Sequence, residues 1–98
     1  MIKAKSFIEI ASHYGFNTYS GVPCSFLTPF INEVISNNLN YIPASNEGDA
    51  VAIASGAWLG KQKGIAMMQN SGLGNAISPL TSLNYPFKIP ILVICTLR

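Results

Sequence analysis

Charged side chains are scarce in this chain: only 10% of its 98 residues are Asp, Glu, Lys or Arg, against about 25% in ordinary domains. So low a charge content indicates that much of the surface contacts protein rather than water. No Asp or Glu follows Asp49, so the second half of the chain cannot supply a carboxylate site for a hard metal ion. No metal site is therefore predicted. The few Lys and Arg residues are scattered rather than arranged in a basic stripe, which argues against nucleic acid binding.

Cysteines and long apolar runs are also few. Cys24 and Cys95 are the two cysteines, and the absence of a CxxC motif or a nearby histidine pair excludes a zinc site or a redox dithiol. Two unpaired thiols are typical of a reducing compartment, so we expect a cytoplasmic protein, with Cys95 as a small core residue. No apolar run approaches the length of about 18 residues that a membrane span needs. The segment that begins at Met1 has no apolar signal-peptide core.

The hydrophobic periodicity predicts helices and strands in alternation. Helical spacing of apolar residues indicates helices over residues 4–14 and 26–35. Asn46 as a cap and Gly60 as an end indicate a third helix over 47–59, and a fourth is predicted over 74–83, strained by Pro79. Short apolar runs between turn residues indicate four strands, over 18–22, 40–43, 65–69 and 89–95. This order predicts an α/β fold, an open parallel sheet of about four strands with helices on both faces. The last strand is apolar on both faces, as central parallel strands are, so residues 1–98 are expected to form an incomplete domain.

Three polar segments follow predicted strands, at the edge of a parallel sheet where ligands bind. They cover residues 21–25, 43–47 and 69–76. In the second segment, Glu47 is a lone glutamate that opens an apolar helix capped by Asn46. The helix dipole favours a negative charge at that point, whereas poor solvation favours keeping or sharing a proton. Glu47 is thus either a helix-capping acid or a group that exchanges a proton with a ligand.

More familiar motifs fail when they are tested against the sequence. The Gly72-Leu73-Gly74 run lacks both the third glycine and the later acid of a dinucleotide fingerprint. No P-loop lysine follows it, which disfavours a flavodoxin-like nucleotide-binding domain. Ser25 has no histidine nearby to complete a hydrolase triad. His13 is expected at the opposite ends of the strands, as a surface or capping residue.

Four motifs together resemble a known family, in order and over nearly the whole chain. They occupy residues 21–27 (GVPCSFL), 46–50 (NEGDA), 64–76 (GIAMMQNSGLGNA) and 78–83 (SPLTSL). This combination is similar to the pyrimidine-binding domain of thiamine-diphosphate-dependent 2-oxoacid decarboxylases, and within them to the phosphonopyruvate and sulfopyruvate decarboxylases. The resemblance implies the N-terminal part of a carboxy-lyase that converts phosphonopyruvate to phosphonoacetaldehyde and CO2. A sulfopyruvate decarboxylase subunit is the alternative.

The same resemblance implies roles for individual residues. Glu47 would be the catalytic carboxyl, hydrogen-bonded to a ring nitrogen of the cofactor's aminopyrimidine and sharing a proton with it. The residues implied to border the pyrimidine are Gly72, Gly74 and Asn75, and those implied to face the substrate are Ser25 and Asn70.

The resemblance also implies a partner. Members of the family bind the diphosphate and Mg²⁺ through a second domain, which has a Gly-Asp-Gly segment followed by Asn, and neither feature is present here. A homo-oligomer or a complementary diphosphate-binding domain or subunit would complete the site, so the isolated chain is expected to be inactive. A non-catalytic dimerisation module derived from such an enzyme is a further alternative, although it would have no use for Glu47.

Overall fold

The computed structural model describes residues 2–97, and Met1 and Arg98 lie outside this range. The helices are α1 (Ala4–His13), α2 (Thr28–Ser36), α3 (Glu47–Leu59), α4 (Leu73–Pro79) and α5 (Tyr85–Phe87). The strands are β1 (Phe16–Gly21), β2 (Asn40–Pro43), β3 (Lys63–Gln69) and β4 (Leu92–Thr96). Two short 3₁₀ turns, Ser25–Leu27 and Asn70–Gly72, and a π-helical turn, Leu80–Asn84, connect these elements.

The four strands form one parallel sheet in the order β2-β1-β3-β4. Neighbouring residues of β3 enter different cores, since successive strand residues point to opposite faces. Met67 packs with Tyr19 and the residues of α1 and α2, whereas Met68 packs with the residues of α3 and α4. The predicted fold class, a parallel sheet with helices on both faces, is confirmed.

The last strand differs from its prediction in extent. It begins at Leu92 rather than at residue 89, because Pro90 has no N–H to donate to a ladder. Within residues 2–97, β4 is the outermost strand on its side of the sheet, and its central position stays a prediction about a complete domain. Cys95 is exposed in the described part of the chain, so its predicted place in the core is wrong there.

The predicted helix over 74–83 is divided at Pro79. Proline cannot donate a hydrogen bond to the carbonyl four residues earlier, here that of Asn75, and the helix continues as the π-helical turn Leu80–Asn84. The turn ends at Asn84, a buried side chain whose amide donates to Ser55 Oγ at 2.7 Å and to the Ile89 carbonyl at 3.1 Å. Asn84 therefore ties α3 to the segment that enters β4.

Between residues 2 and 97, no helix is both long enough and apolar enough to cross a membrane.

Candidate functional site

The parallel sheet brings the three polar segments to one edge. Ser25 begins the 3₁₀ turn that follows β1, Glu47 opens α3 after β2, and Asn70 begins the 3₁₀ turn after β3. The backbone joins the first two segments directly, because the Ala44 N–H donates to the Gly21 carbonyl at 2.9 Å. Residues from three separated parts of the sequence thus share the carboxyl edge of the sheet.

The cap of helix α3 is formed by Asn46 and Asp49. The Asn46 side-chain oxygen accepts a hydrogen bond from the Asp49 backbone N–H at 3.0 Å, and its amide donates to the Asp49 carboxylate at 3.1 Å. This reciprocal pair provides the side-chain cap of the first turn. The capping interpretation of Glu47 therefore does not describe the position of its side chain.

The half-buried Glu47 side chain instead contacts the start of helix α4. Its Oε1 accepts a hydrogen bond from Asn75 Nδ2 at 2.9 Å. A Cβ added to Gly72 would lie 2.3 Å from Glu47 Cδ and 2.5 Å from Glu47 Oε2, so only glycine leaves room for the carboxyl at this point. Of the residues predicted for the site, Glu47, Gly72 and Asn75 are thus brought into contact.

Gly48 supports this cluster and was not identified from the sequence. A Cβ at Gly48 would lie 2.9 Å from the Asn75 carbonyl oxygen and 3.1 Å from Asn46 Oδ1. The absence of a side chain therefore allows the first turn of α3 to approach the backbone of α4. A sequence signal was available, because a glycine inside a helix is unfavourable unless packing requires it.

Gly74 has different surroundings from Gly72. It is exposed, and a Cβ built on it would meet no atom of the described residues within 4 Å. Nothing that the structure describes around Gly74 therefore requires glycine, and the surface next to Asn75 is open.

Ser25 and Asn70 are exposed residues at this same edge of the sheet. The turn that carries Asn70 is fixed by a side-chain hydrogen bond from Gln69 Nε2 to Ser71 Oγ at 2.6 Å. Gln69 was not singled out from the sequence, where its position at the end of an apolar strand gave no sign of the contact. Within residues 2–97, no three His, Cys, Asp or Glu side chains are grouped closely enough to hold a metal ion.

Comparison with known proteins assigns the chain to a family. Residues 1–98 match the family model described as thiamine pyrophosphate enzyme, N-terminal TPP binding domain. The chain belongs to this family. Thiamine pyrophosphate (TPP) is the same compound as thiamine diphosphate.

Two relatives of this TPP-enzyme domain differ in length and in name. Phosphonopyruvate decarboxylase from Streptomyces hygroscopicus is 50% identical over 100% of this chain and 25% of that protein. Sulfopyruvate decarboxylase subunit alpha from Methanococcus maripaludis is 38% identical over 86% of this chain and 51% of that subunit. The chain therefore spans about a quarter of the first relative and about half of the second.

A solved structure has the same fold as this TPP-enzyme domain. Benzoylformate decarboxylase from Polynucleobacter necessarius superposes with a TM-score of 0.81 and 27% sequence identity, over 98% of this chain and 18% of that one. The parallel sheet and its flanking helices thus have the fold of one part of a larger decarboxylase.

Proposed function

We propose that residues 1–98 are a partial pyrimidine-binding domain at the N-terminus of a thiamine-diphosphate-dependent decarboxylase, which converts phosphonopyruvate to phosphonoacetaldehyde and CO2. The observation that carries the proposal is the position of the Glu47 carboxyl, which is turned away from its helix cap and held by Asn75 and Gly72. The 50% identity to a phosphonopyruvate decarboxylase over the whole chain supports this choice of substrate.

The residues present fit the pyrimidine half of the cofactor. A carboxyl group can both accept and donate hydrogen bonds, according to its protonation state, and Glu47 presents one at the sheet edge. The open surface at Gly74 leaves space beside Asn75 for a flat ring. We assign Glu47 to the pyrimidine ring nitrogen and Gly72, Gly74 and Asn75 to the border of the ring.

The protein's part in catalysis is to place one carboxyl and control its proton. Thiamine diphosphate, when bound, supplies the electron sink for loss of CO2. The Asn75 amide donates to Glu47 Oε1, which fixes the orientation of the carboxyl and leaves Oε2 to hold the exchangeable proton. A positioned proton-transfer group of this kind typically contributes a factor of about 10²–10⁴ to the rate.

Ser25 and Asn70 are proposed to face the 2-oxoacid. Both are exposed at the carboxyl edge that carries Glu47, and both side chains can donate and accept hydrogen bonds. They would orient the substrate beside the cofactor without taking part in proton transfer.

A complementary region is proposed to bind the diphosphate and Mg²⁺. It would come from another part of the same protein, from a second copy in a homo-oligomer, or from a separate subunit. The name of the Methanococcus relative, subunit alpha, supports the last arrangement. We propose a cytoplasmic location, where the two free cysteines would stay reduced, and we expect the 98-residue chain alone to be inactive.

The test is a decarboxylation assay of the complete enzyme that contains this chain, or of the chain mixed with its complementary subunit. CO2 release is measured with thiamine diphosphate, Mg²⁺ and either phosphonopyruvate or sulfopyruvate. We expect a higher kcat/KM for phosphonopyruvate. Turnover of neither acid by an enzyme shown to bind the cofactor would contradict the proposal and favour the non-catalytic module.

The second candidate is a sulfopyruvate decarboxylase subunit. It is favoured by the 38% identity to subunit alpha, of which the chain covers about half. A preference for sulfopyruvate in the same assay would establish it in place of the first.

A further inference from the structure

Three lysines lie at the opposite edge of the sheet, the amino edge, where β3 and β4 begin. Lys63 begins β3, and Lys61 and Lys88 follow the last turns of α3 and α5. No acidic residue follows Asp49 in the sequence, and both Glu47 and Asp49 lie in the first turn of α3, at the carboxyl edge. These two acids are therefore at the other end of α3 from Lys61.

This amino edge contains an apolar cavity of about 330 Å³. Its lining consists of Phe16, Trp58, Lys63, Pro90, Ile91 and Leu92. A neighbouring cavity of about 430 Å³ shares Trp58 and Lys63 and adds Lys61 and Gln62. Apolar and aromatic walls with one or two charged groups, at a volume of about 300 Å³ or more, are typical of small-molecule sites.

The ammonium group of Lys63 is held in place at the rim of this cavity. Its Nζ donates to the Tyr14 carbonyl at 2.8 Å and lies 5.5 Å from the centroid of the Phe16 ring. The adjoining loop is fixed to β1 by a hydrogen bond from Asn17 Nδ2 to Gln62 Oε1. An ammonium group has three donors, so the positioned Lys63 has donors left for a further acceptor.

We propose that this cavity binds a small amphipathic anion. An aromatic or aliphatic body would lie against Trp58, Phe16 and Leu92, and a carboxylate, sulfonate or phosphate group would accept hydrogen bonds from Lys63. A cavity of this volume accommodates a small molecule, and the nearby lysines favour a negatively charged one. The site lies at the edge opposite to Glu47, so it is independent of the proposed decarboxylase activity.

The sole tryptophan of the chain is in the cavity wall, which provides a direct reporter. The probe is anilinonaphthalene sulfonate, and binding is followed as energy transfer from Trp58 to the probe in the folded 98-residue chain. Phenylnaphthylamine, which has the same aromatic body without the sulfonate, is the matched neutral probe. We expect saturable binding of the anionic probe that weakens as salt is added, because screening reduces the attraction of Lys63.

Variants separate the anion site from general apolar adsorption. Lys63→Gln should lower the affinity for the anionic probe about tenfold, because a hydrogen bond to a charged group is lost. The affinity for the neutral probe should stay nearly unchanged. Lys63→Arg should keep the affinity for the anionic probe. Lys5→Gln, at an exposed position of α1, is the matched control and should change the affinity for neither probe. Circular dichroism checks the fold of each variant.

Equal binding of the two probes, or an unchanged affinity in Lys63→Gln, would overturn the proposal. A saturable signal without energy transfer from Trp58 would place the anion elsewhere and overturn it as well.

Discussion

Helix capping and the contact with Asn75 are made by different side chains at the start of helix α3. Asn46 and Asp49 satisfy the helix end, whereas Glu47 extends to Asn75 on the next helix. Two acids only two positions apart therefore have separate roles. This division is the residue-scale basis for assigning Glu47, and not Asp49, to the cofactor.

Gly72 and Gly74 provide a matched pair of substitutions at the site. Gly72→Ala should displace the Glu47 carboxyl, because the new methyl would overlap the end of that side chain, and the displacement should lower kcat of the complete enzyme by up to about 10²-fold. The cost in stability should be small, because a half-buried side chain can turn aside. Gly74→Ala should change stability by less than about 0.5 kcal/mol, as is usual for open surface positions. Denaturant unfolding and kcat are measured for both variants, and an unchanged kcat in Gly72→Ala would contradict the close packing described at Gly72.

The two variants should also differ in what they do to the cofactor. Gly74→Ala is expected to weaken thiamine diphosphate binding in the complete enzyme while the fold is retained, because the methyl would occupy the open surface beside Asn75. Cofactor affinity measured by titration gives the result. Unchanged affinity would remove Gly74 from the border of the pyrimidine.

At the scale of elements, the connection between α4 and β4 depends on one buried amide. Asn84→Ala should lower the free energy of unfolding by about 2 kcal/mol, since it removes the bonds to Ser55 and Ile89. Asn32→Ala, at an exposed position of α2, is the control and should lie within about 0.5 kcal/mol of the parent. If chemical denaturation gave the same loss for both variants, the bonds of Asn84 would contribute nothing to stability.

The order of helices and strands could be predicted from local features of the sequence. Apolar spacing identified α1 and α2, and Asn46 as a cap and Gly60 as an end identified α3. The exposure of Cys95 could not be predicted, because it depends on which strands become neighbours. The effect of Pro79 was expected as strain, but its outcome as a π-helical turn depends on how Asn84 packs.

The candidate site was predictable to the extent that its residues are unusual in the sequence. Glu47 is the first residue of a helix that is apolar after its first turn, and Gly72 and Asn75 lie in a polar segment after a buried strand. The glycine at position 48 inside a helix was a signal of close packing, but the partners of Gly48 and of Gln69 could not be predicted from the sequence. They depend on the distance between α3 and α4 and on the conformation of a short turn, which only the folded chain defines.

At the scale of the whole molecule, buried tyrosines make stability depend on pH in the alkaline range. Burial raises the pKa of Tyr19 to about 12, and burial also raises the pKa of Tyr41. In the unfolded chain a tyrosine titrates near pH 10, so tyrosine ionisation does not lower the free energy of unfolding below about pH 10. Between about pH 10 and pH 12 the unfolded state loses its proton first. The free energy of unfolding should therefore fall by up to about 1.4 kcal/mol per pH unit from Tyr19, and Tyr41 should act in the same direction.

Tyr19→Phe isolates the contribution of one hydroxyl. The Tyr19 hydroxyl is buried without a hydrogen-bond partner among the described residues, so its removal should not cost stability at neutral pH. The variant should show a shallower decline than the parent between about pH 10 and about pH 12 in denaturant unfolding. Tyr14→Phe changes an exposed side chain and is the control. If the free energy of unfolding fell as steeply with pH in Tyr19→Phe as in the parent, Tyr19 would not be the cause of the decline.

The measurement that tests the central claim most directly is kcat for phosphonopyruvate in the complete enzyme, with Glu47→Gln compared with Asp49→Asn. If Glu47 is the carboxyl that exchanges a proton with the cofactor, Glu47→Gln lowers kcat by about 10²–10⁴. Asp49→Asn should keep kcat near that of the parent, because Asp49 serves the helix cap. An unchanged kcat in Glu47→Gln, with thiamine diphosphate bound, would contradict the account.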